Sequence, residues 1–153
     1  MSKPYAVERR VTVSAAPEKI HPLVADFHEW VQWSPWEGLD PELRRTYSGA
    51  ATGVGSRYTW DGNRKAGAGT MIVTGDTPGR IDVDLAFTRP FPSKSKVELL
   101  LEPTGSGTTV VWRLVGELRG PARVFALVKS MDSLLGADLE KGLARLKKVA
   151  ETP

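Results

Sequence analysis

The chain contains no cysteine among its 153 residues. This absence excludes disulfides, thiolate metal ligands and a cysteine nucleophile. The sequence also has no uninterrupted apolar run near the roughly 20 residues that a membrane-spanning helix needs. Its first residues lack the basic and apolar regions of a secretory signal. Together these absences predict a cytoplasmic protein that does not insert into a membrane.

Charge of one sign is not concentrated anywhere in the sequence. The formal net charge is +3, and the basic residues occur as separate pairs such as Arg44-Arg45 and Lys147-Lys148. Nucleic-acid binding proteins usually gather their basic residues on one stripe or patch. We therefore predict no nucleic-acid partner and interpret these charges as solvated surface. No repeat or linker interrupts the chain, so one domain over 1–153 is predicted.

Most of the chain has the pattern of short strands separated by turns. Residues 81–87, IDVDLAF, alternate between apolar and polar, which is typical of a strand with one dry face. Asp61-Gly-Asn63 favours a hairpin turn, and the glycines of 53–55 and 67–69 indicate bulges or sheet curvature. We predict strands near 5–13, 42–48, 55–61, 67–76, 79–87, 95–102 and 107–116.

Three helices are predicted around these strands. Pro17 and Glu18 suit the first turn of a helix that reaches towards Phe27, although Pro22 should kink or shorten it. A second short helix over 29–33 ends before Pro35. An apolar stripe from Val124 to Leu146 predicts a long final helix over about 121–149.

This order of elements predicts an α+β fold. A curved antiparallel sheet of about seven strands, wrapped around the long C-terminal helix with two short helices after the first strand, buries every apolar face. Such an arrangement leaves a space between its layers, and spaces of this kind are common small-molecule sites.

Several segments, in this order, also resemble a known family over nearly the whole chain. The similarity is to the helix-grip fold of the Bet v 1/START-like superfamily and, within it, to bacterial polyketide cyclase/dehydrase and lipid-transport-like proteins. The superfamily includes lipid carriers, hormone receptors, aromatic cyclases and co-chaperones, so the resemblance implies a fold more sharply than an activity. The segments are APEKI (16–20), ADFHEW (25–30), WSPW (33–36), GVGSRYTW (53–60), PFPS (90–93), GTTVVW (107–112) and MDSLLGADLEKGLARLK (131–147).

Three of the five tryptophans lie within residues 30–36, WVQWSPW. If residues 29–33 form a helical turn, Trp30 and Trp33 share one face of it. Pro35 then ends the helix, so the Trp36 ring can point in a different direction. The resemblance implies that this segment lies at one end of a cavity. We expect at least one of the rings in the core and at least one at the cavity, with the alternative that all three only fill the interior.

The apolar side chains expected around a ligand come from strand faces, the tryptophan segment and the last helix. A filled core would use the same residues, and the sequence does not separate the two possibilities. The predicted ligand-binding residues are Trp33, Trp36, Tyr58, Trp60, Leu85, Phe87, Phe91, Trp112, Met131 and Leu135.

Three polar residues are candidates for the interior: Arg9, Asp26 and Arg113. Arg9 shares a strand face with apolar residues, and a buried arginine needs a carboxylate or an anionic ligand. The alternative, which is more common for an arginine at a strand end, is that the side chain extends to water. The two histidines, His21 and His28, do not share a helix face across Pro22, so neither a metal site nor a cofactor is predicted.

Three functions are compatible with these features. We favour a binding protein for a small apolar or amphipathic molecule such as a lipid, an aromatic polyketide-like compound or an isoprenoid. An aromatase or cyclase would need acid–base groups inside the cavity. A co-chaperone-like module would need an exposed apolar patch on the outer sheet face. A monomer or weak homodimer is expected.

Overall fold

The structure is a computed structural model that describes residues 2–89, 92–119 and 128–153, and the side chains of 4–89, 92–117, 133 and 135–153. Within these described residues, seven strands, two α-helices and one 3-10 turn follow one another. They are β1 (Ser2–Val13), α1 (Pro17–Ala25), the 3-10 turn (Trp30–Gln32), β2 (Arg44–Gly49), β3 (Ser56–Asp61), β4 (Ala68–Thr77), β5 (Arg80–Arg89), β6 (Ser93–Thr104), β7 (Gly107–Arg119) and α2 (Val128–Glu151).

The strands form one antiparallel sheet in the order β1-β7-β6-β5-β4-β3-β2. β2 to β7 form a meander, and β1 joins the far side by pairing with β7 over its whole length. The predicted α+β helix-grip architecture is confirmed. Register shifts at Ala68/Gly69 and Val73/Gly75 interrupt the pairing of β4 with β5, and such bulges increase the local bend of a strand.

The first helix is shorter than the sequence pattern suggests. Pro17 begins α1, and Asp26 beyond its end has an extended backbone. The helix predicted over 29–33 is instead a single 3-10 turn, in which the N–H of Trp33 donates to the Trp30 carbonyl oxygen at 3.1 Å. Pro35 explains why the turn does not continue, because a proline disfavours helical backbone at the residue before it.

The C-terminal helix α2 packs mainly on β1, with further contacts to β7, α1 and the 3-10 turn. Lys147 Nζ donates to the Thr12 carbonyl oxygen at 2.9 Å, and the Ser14 N–H donates to Glu151 Oε2 at 2.7 Å. The part of the predicted helix from 121 to 127 lies outside the described residues. No helix in the described ranges is long and apolar enough to span a membrane.

α2 packs on the β1 side of the sheet, and part of the segment that follows α1 lies against β3, β4 and β5. The inner faces of β3 and β5 have the alternation expected of a sheet with one dry face. Their buried residues are Ser56, Tyr58, Trp60, Ile81, Val83 and Leu85. The space between this half of the sheet and residues 30–43 is where the candidate site lies.

Candidate functional site

Trp30 and Trp33 belong to the core, with 3% and 0% of their surface exposed. The Trp30 indole N–H donates to the Val24 carbonyl oxygen at 2.9 Å, and that of Trp33 to the Leu23 carbonyl oxygen at 2.8 Å. The last carbonyls of a helix have no partner within it. The two indoles therefore satisfy the end of α1, and their role is structural.

Trp36 differs from these two rings because it is only half-buried. Its indole stands edge-on to Trp112, with ring centroids 5.9 Å apart and an angle of 89° between the planes. Its backbone N–H donates to Ser34 Oγ at 3.3 Å. Trp36 thus lies at the boundary between the buried aromatic cluster and the cavity described below.

Helix α2 approaches this segment closely at Gly142. A Cβ atom there would lie 2.7 Å from the Trp112 ring and 2.8 Å from Cδ of Pro35, so only glycine fits without a shift. One turn further, Arg145 donates to the carbonyl oxygen of Ser34 at 2.8 Å and to that of Glu37 at 3.4 Å. These contacts fix the backbone of 34–37 against the helix.

A small cavity of about 20 Å³ lies between the sheet and this segment. A volume of this size holds about one water molecule. Its walls come from residues 34–43 and from β3, β4 and β5. The lining residues are Ser34, Trp36, Glu37, Leu43, Tyr58, Trp60, Met71, Leu85 and Phe87.

The floor of the cavity consists of two cross-strand rows. One row is formed by Tyr58 and Met71 with Leu85. In the other, Gly69 lies between Trp60 and Phe87. A Cβ on Gly69 would lie 2.5 Å from the Trp60 ring, so the glycine provides the room in which that indole lies over the sheet.

One end of the cavity is polar. Arg45 binds the Glu37 carboxylate through two nitrogens, Nε and an Nη, and their side chains are 33% and 15% exposed. Burial raises the pKa of Tyr58 far above its ordinary value, and the nearby Glu37 carboxylate adds to the shift while Arg45 opposes it. Tyr58 therefore remains a neutral phenol at physiological pH.

The structure brings five of the predicted ligand-binding residues together around the cavity: Trp36, Tyr58, Trp60, Leu85 and Phe87. Trp33 and Trp112 are buried beside it without lining it, and Leu135 is half-buried against the core. Phe91 and the side chain of Met131 lie outside the described part of the chain.

The three polar candidates do not line this cavity. Arg9 reaches under α2, where its Nε donates to Glu140 Oε1 at 3.0 Å. Asp26 accepts bonds from the backbone N–H of His28 at 2.9 Å and pairs with its Nδ1 at 2.8 Å. Arg113 is exposed, whereas its neighbours Trp112 and Leu114 are buried, so it lies on the outer face of the sheet.

Four lining residues and one residue at the polar end are missing from the sequence prediction: Ser34, Glu37, Leu43, Met71 and Arg45. The strand period could have found Met71, because Met71 and Val73 are both buried on the same face. Arg45 has the sequence pattern of a surface charge, and no local pattern pairs it with a loop carboxylate eight residues earlier.

A second, larger groove of about 150 Å³ lies at the β2 edge of the sheet. The stacked rings of His28 and Tyr47, 4.1 Å apart, form one wall. Tyr47 and Phe27 also contact Tyr58, at centroid distances of 5.3 and 6.0 Å. The three aromatic rings therefore separate this groove from the inner cavity.

The described side chains contain no group of three histidine, aspartate or glutamate residues arranged to hold a metal ion. The pair His21 and Asp76, joined at 2.6 Å, links α1 to β4. His28 and Asp26 form a separate pair, so the two histidines do not share a site.

The seven-stranded antiparallel sheet, the short helix after its first strand and the C-terminal helix define a helix-grip protein. The sequence profile described as polyketide cyclase/dehydrase and lipid transport matches residues 5–151. The chain therefore belongs to the polyketide cyclase/dehydrase and lipid transport family. A comparison with the curated proteins finds no match.

Solved structures support the same fold. The di-domain aromatase/cyclase StfQ from the steffimycin biosynthetic pathway superposes with a TM-score of 0.73 at 14% identity, over 97% of this chain and 51% of that one. Ara h 8.0201 superposes with a TM-score of 0.65 at 13% identity, over 97% of this chain and 98% of that one. The Aha1 dimer from Colwellia psychrerythraea gives 0.59 at 18% identity, over 96% and 98%. At these identities the likeness concerns the fold alone.

Proposed function

We propose that this protein binds a small apolar or amphipathic molecule, such as a lipid, an aromatic polyketide-like compound or an isoprenoid, between the sheet and the segment that follows α1. The main support is that one cavity collects four aromatic side chains, Trp36, Tyr58, Trp60 and Phe87, and that few polar residues, Ser34 and Glu37, join them in its lining. Ligand sites in proteins are typically apolar with a few placed polar groups.

Binding requires side chains to move, because the cavity holds about one water molecule. Trp36 is the ring best placed to move. It is half-buried, whereas Trp60 is 5% exposed and its indole N–H is bonded to the Ala66 carbonyl oxygen at 3.0 Å. An outward turn of Trp36 would vacate the volume of an indole, which suits a bicyclic ring or a short isoprenoid chain.

Binding is favoured over catalysis by the state of the polar groups in the cavity. The Glu37 carboxylate is engaged by Arg45 on both oxygens, and Tyr58 retains its proton because burial raises its pKa. Neither group is a ready base, and an aromatase or cyclase needs one near its substrate. The cyclase alternative therefore has less support.

A protein-binding role like that of a co-chaperone has less support still. The outer face of the described sheet carries ion pairs, such as Lys96 with Asp84 at 2.8 Å and Arg80 with Asp82 at 3.0 Å. Interaction patches on protein surfaces are usually apolar and contiguous. We propose that the chain acts as one domain, in the cytoplasm, as a monomer or weak homodimer.

Mass spectrometry of the purified protein, native and then denatured, tests the binding function. A small molecule that is present in the native spectrum and lost on denaturation would support it and identify the ligand class. Titration with geraniol and 2-ethylnaphthalene, followed by tryptophan fluorescence, provides the second arm. A bare mass in both spectra together with no fluorescence change with either compound would contradict the proposal.

Two variants test whether the change in fluorescence comes from a tryptophan that lines the cavity. Trp36→Phe should reduce the ligand-induced change in fluorescence, since Trp36 lines the cavity, and the remaining response should come from Trp60, the other indole that lines it. Trp30→Phe is the matched control, because Trp30 lies in the core and should leave the response in place. An unchanged response in Trp36→Phe would contradict the proposed movement of Trp36 on binding.

A further inference from the structure

Resting on the proposed function, we infer that the cavity selects a neutral, largely planar ligand with a carbonyl oxygen at one end, and that the Tyr58 hydroxyl donates a hydrogen bond to that oxygen. This assigns the orientation of the ligand and separates neutral ketones and aldehydes from fatty acids and amines.

The orientation follows from how polarity changes across the sheet. On the β5 side the cavity is bounded by Leu85 and Phe87, which offer no hydrogen bond. On the β2 side lie the Tyr58 hydroxyl and the Glu37–Arg45 ion pair. A ligand with one polar atom therefore gains most when that atom faces β2 and its apolar body lies over Met71 and Leu85.

The chemistry of the polar atom follows from a count of donors and acceptors. Both oxygens of Glu37 already accept from Arg45. Arg45 also lies beside the Tyr58 oxygen and opposes the rise of its pKa, yet burial dominates and the hydroxyl keeps its proton. Within the described residues no acceptor takes that proton in a hydrogen bond. The free group at this end of the cavity is thus a donor, and it needs a ligand acceptor.

The ligand's charge follows from the ion pair. A carboxylate head group at this position would lie beside the Glu37 carboxylate, and an ammonium would lie beside the Arg45 guanidinium. In a partly buried site, like charges at short range are unfavourable, and breaking the pair would leave a buried charge without a partner. A neutral acceptor such as a ketone oxygen avoids both costs.

Three probes of one shape test this inference by equilibrium dialysis: 2-acetylnaphthalene, 2-ethylnaphthalene and 2-naphthoate. We expect the ketone to bind about tenfold more tightly than the ethyl compound, which corresponds to one hydrogen bond, and more tightly than the carboxylate. Tyr58→Phe should bring the ketone-to-ethyl ratio close to one. Tyr47→Phe is the matched control, since that tyrosine lies next to Tyr58 but outside the cavity, and it should keep the ratio.

Infrared spectroscopy adds a readout that does not depend on affinity. The carbonyl stretch of bound 2-acetylnaphthalene should shift to lower frequency in the wild-type protein, and this shift should disappear in Tyr58→Phe. Thermal unfolding of both variants confirms that they are folded.

Each alternative outcome has its own meaning. Equal binding of ketone and ethyl compound, or a ratio that persists in Tyr58→Phe, would overturn the inference while the proposed function stands. Tightest binding of 2-naphthoate would overturn it in favour of an anion site. If none of the three compounds binds, the inference fails, and the mass spectra and the geraniol titration decide separately whether the proposed function stands.

Discussion

Gly142 of α2 faces the Trp112 ring so closely that a Cβ atom would lie 2.7 Å from it. A glycine inside a helix costs roughly 1 kcal/mol relative to alanine, yet here it allows the helix to reach the aromatic cluster. This contact connects the longest helix to the tryptophan segment, and it predicts an unusual result for a helix-stabilising substitution.

Gly142→Ala should lower the free energy of unfolding by about 1–3 kcal/mol, because overpacking against Trp112 and Pro35 outweighs the gain in helix propensity. Gly136→Ala is the matched control. Its new methyl group would lie 2.1 Å from Nη2 of Arg9. That atom is the end of a flexible side chain, which can move at the cost of its bond to Glu140, so the loss should be smaller than that of Gly142→Ala. Urea unfolding measures both, and a Gly142→Ala protein as stable as the wild type would contradict the contact.

Trp33→Phe should destabilise the protein by about 2–4 kcal/mol. The substitution removes buried volume and leaves the Leu23 carbonyl oxygen without its indole donor. Trp36→Phe should cost less than about 1 kcal/mol, because the ring is half-buried and its indole N–H has no such partner among the described residues. Thermal unfolding measures the stability of the two variants. An equal loss of stability in both would show that the two rings have the same structural role.

Arg145→Met should release the segment 34–37 from α2. The guanidinium donates to two backbone carbonyls of that segment, and a hydrogen bond from a charged group contributes roughly 1.5–3 kcal/mol. Faster amide hydrogen exchange within 30–40 is the expected sign of the release. Arg64→Met, at an exposed position in the β3–β4 connection, is the control and should leave exchange in that segment unchanged.

Tyr58 should make stability depend on pH in the alkaline range. Burial raises its pKa in the folded state, so the fold favours the protonated phenol. The contribution is complete below the unfolded pKa of about 10 and is lost as pH rises through the folded value. Burial shifts the pKa of Tyr5 and Tyr47 in the same direction. Tyr58→Phe should therefore reduce the loss of unfolding free energy with rising pH without abolishing it.

Urea unfolding at intervals from pH 8 upward, with phenolate absorbance recorded in parallel, measures this effect. If the dependence of the unfolding free energy on pH is the same in Tyr58→Phe as in the wild type, the Tyr58 hydroxyl is not buried as described.

Strand and helix periods predict most of this fold because burial is regular where one face of an element is dry. β5 illustrates the rule, since Ile81, Val83 and Leu85 are buried and Asp82 and Asp84 are not fully so. β7 illustrates its limit. Val110, Val111 and Trp112 are all buried, so the period does not reveal which face Arg113 takes, and of the two places open to it the structure has the exposed one.

The candidate site was predictable only in its apolar part. Aromatic residues on strand faces, such as Tyr58 and Trp60, follow from alternation. The polar end does not, because the Glu37–Arg45 pair joins a loop to an edge strand, and only tertiary structure brings the two together. The same is true of Arg9, whose partner Glu140 lies 131 positions away.

The pairing of β1 with β7 also has a consequence for synthesis. β2 to β7 can pair in the order in which they are made, but Ser2–Val13 has its strand partner at 108–119. At roughly 5–20 residues per second on the ribosome, the first strand waits about 5–20 s for that partner and longer for the helix that covers it. During this time its alternating valines are exposed, and a nascent-chain chaperone is the natural protection for such a segment.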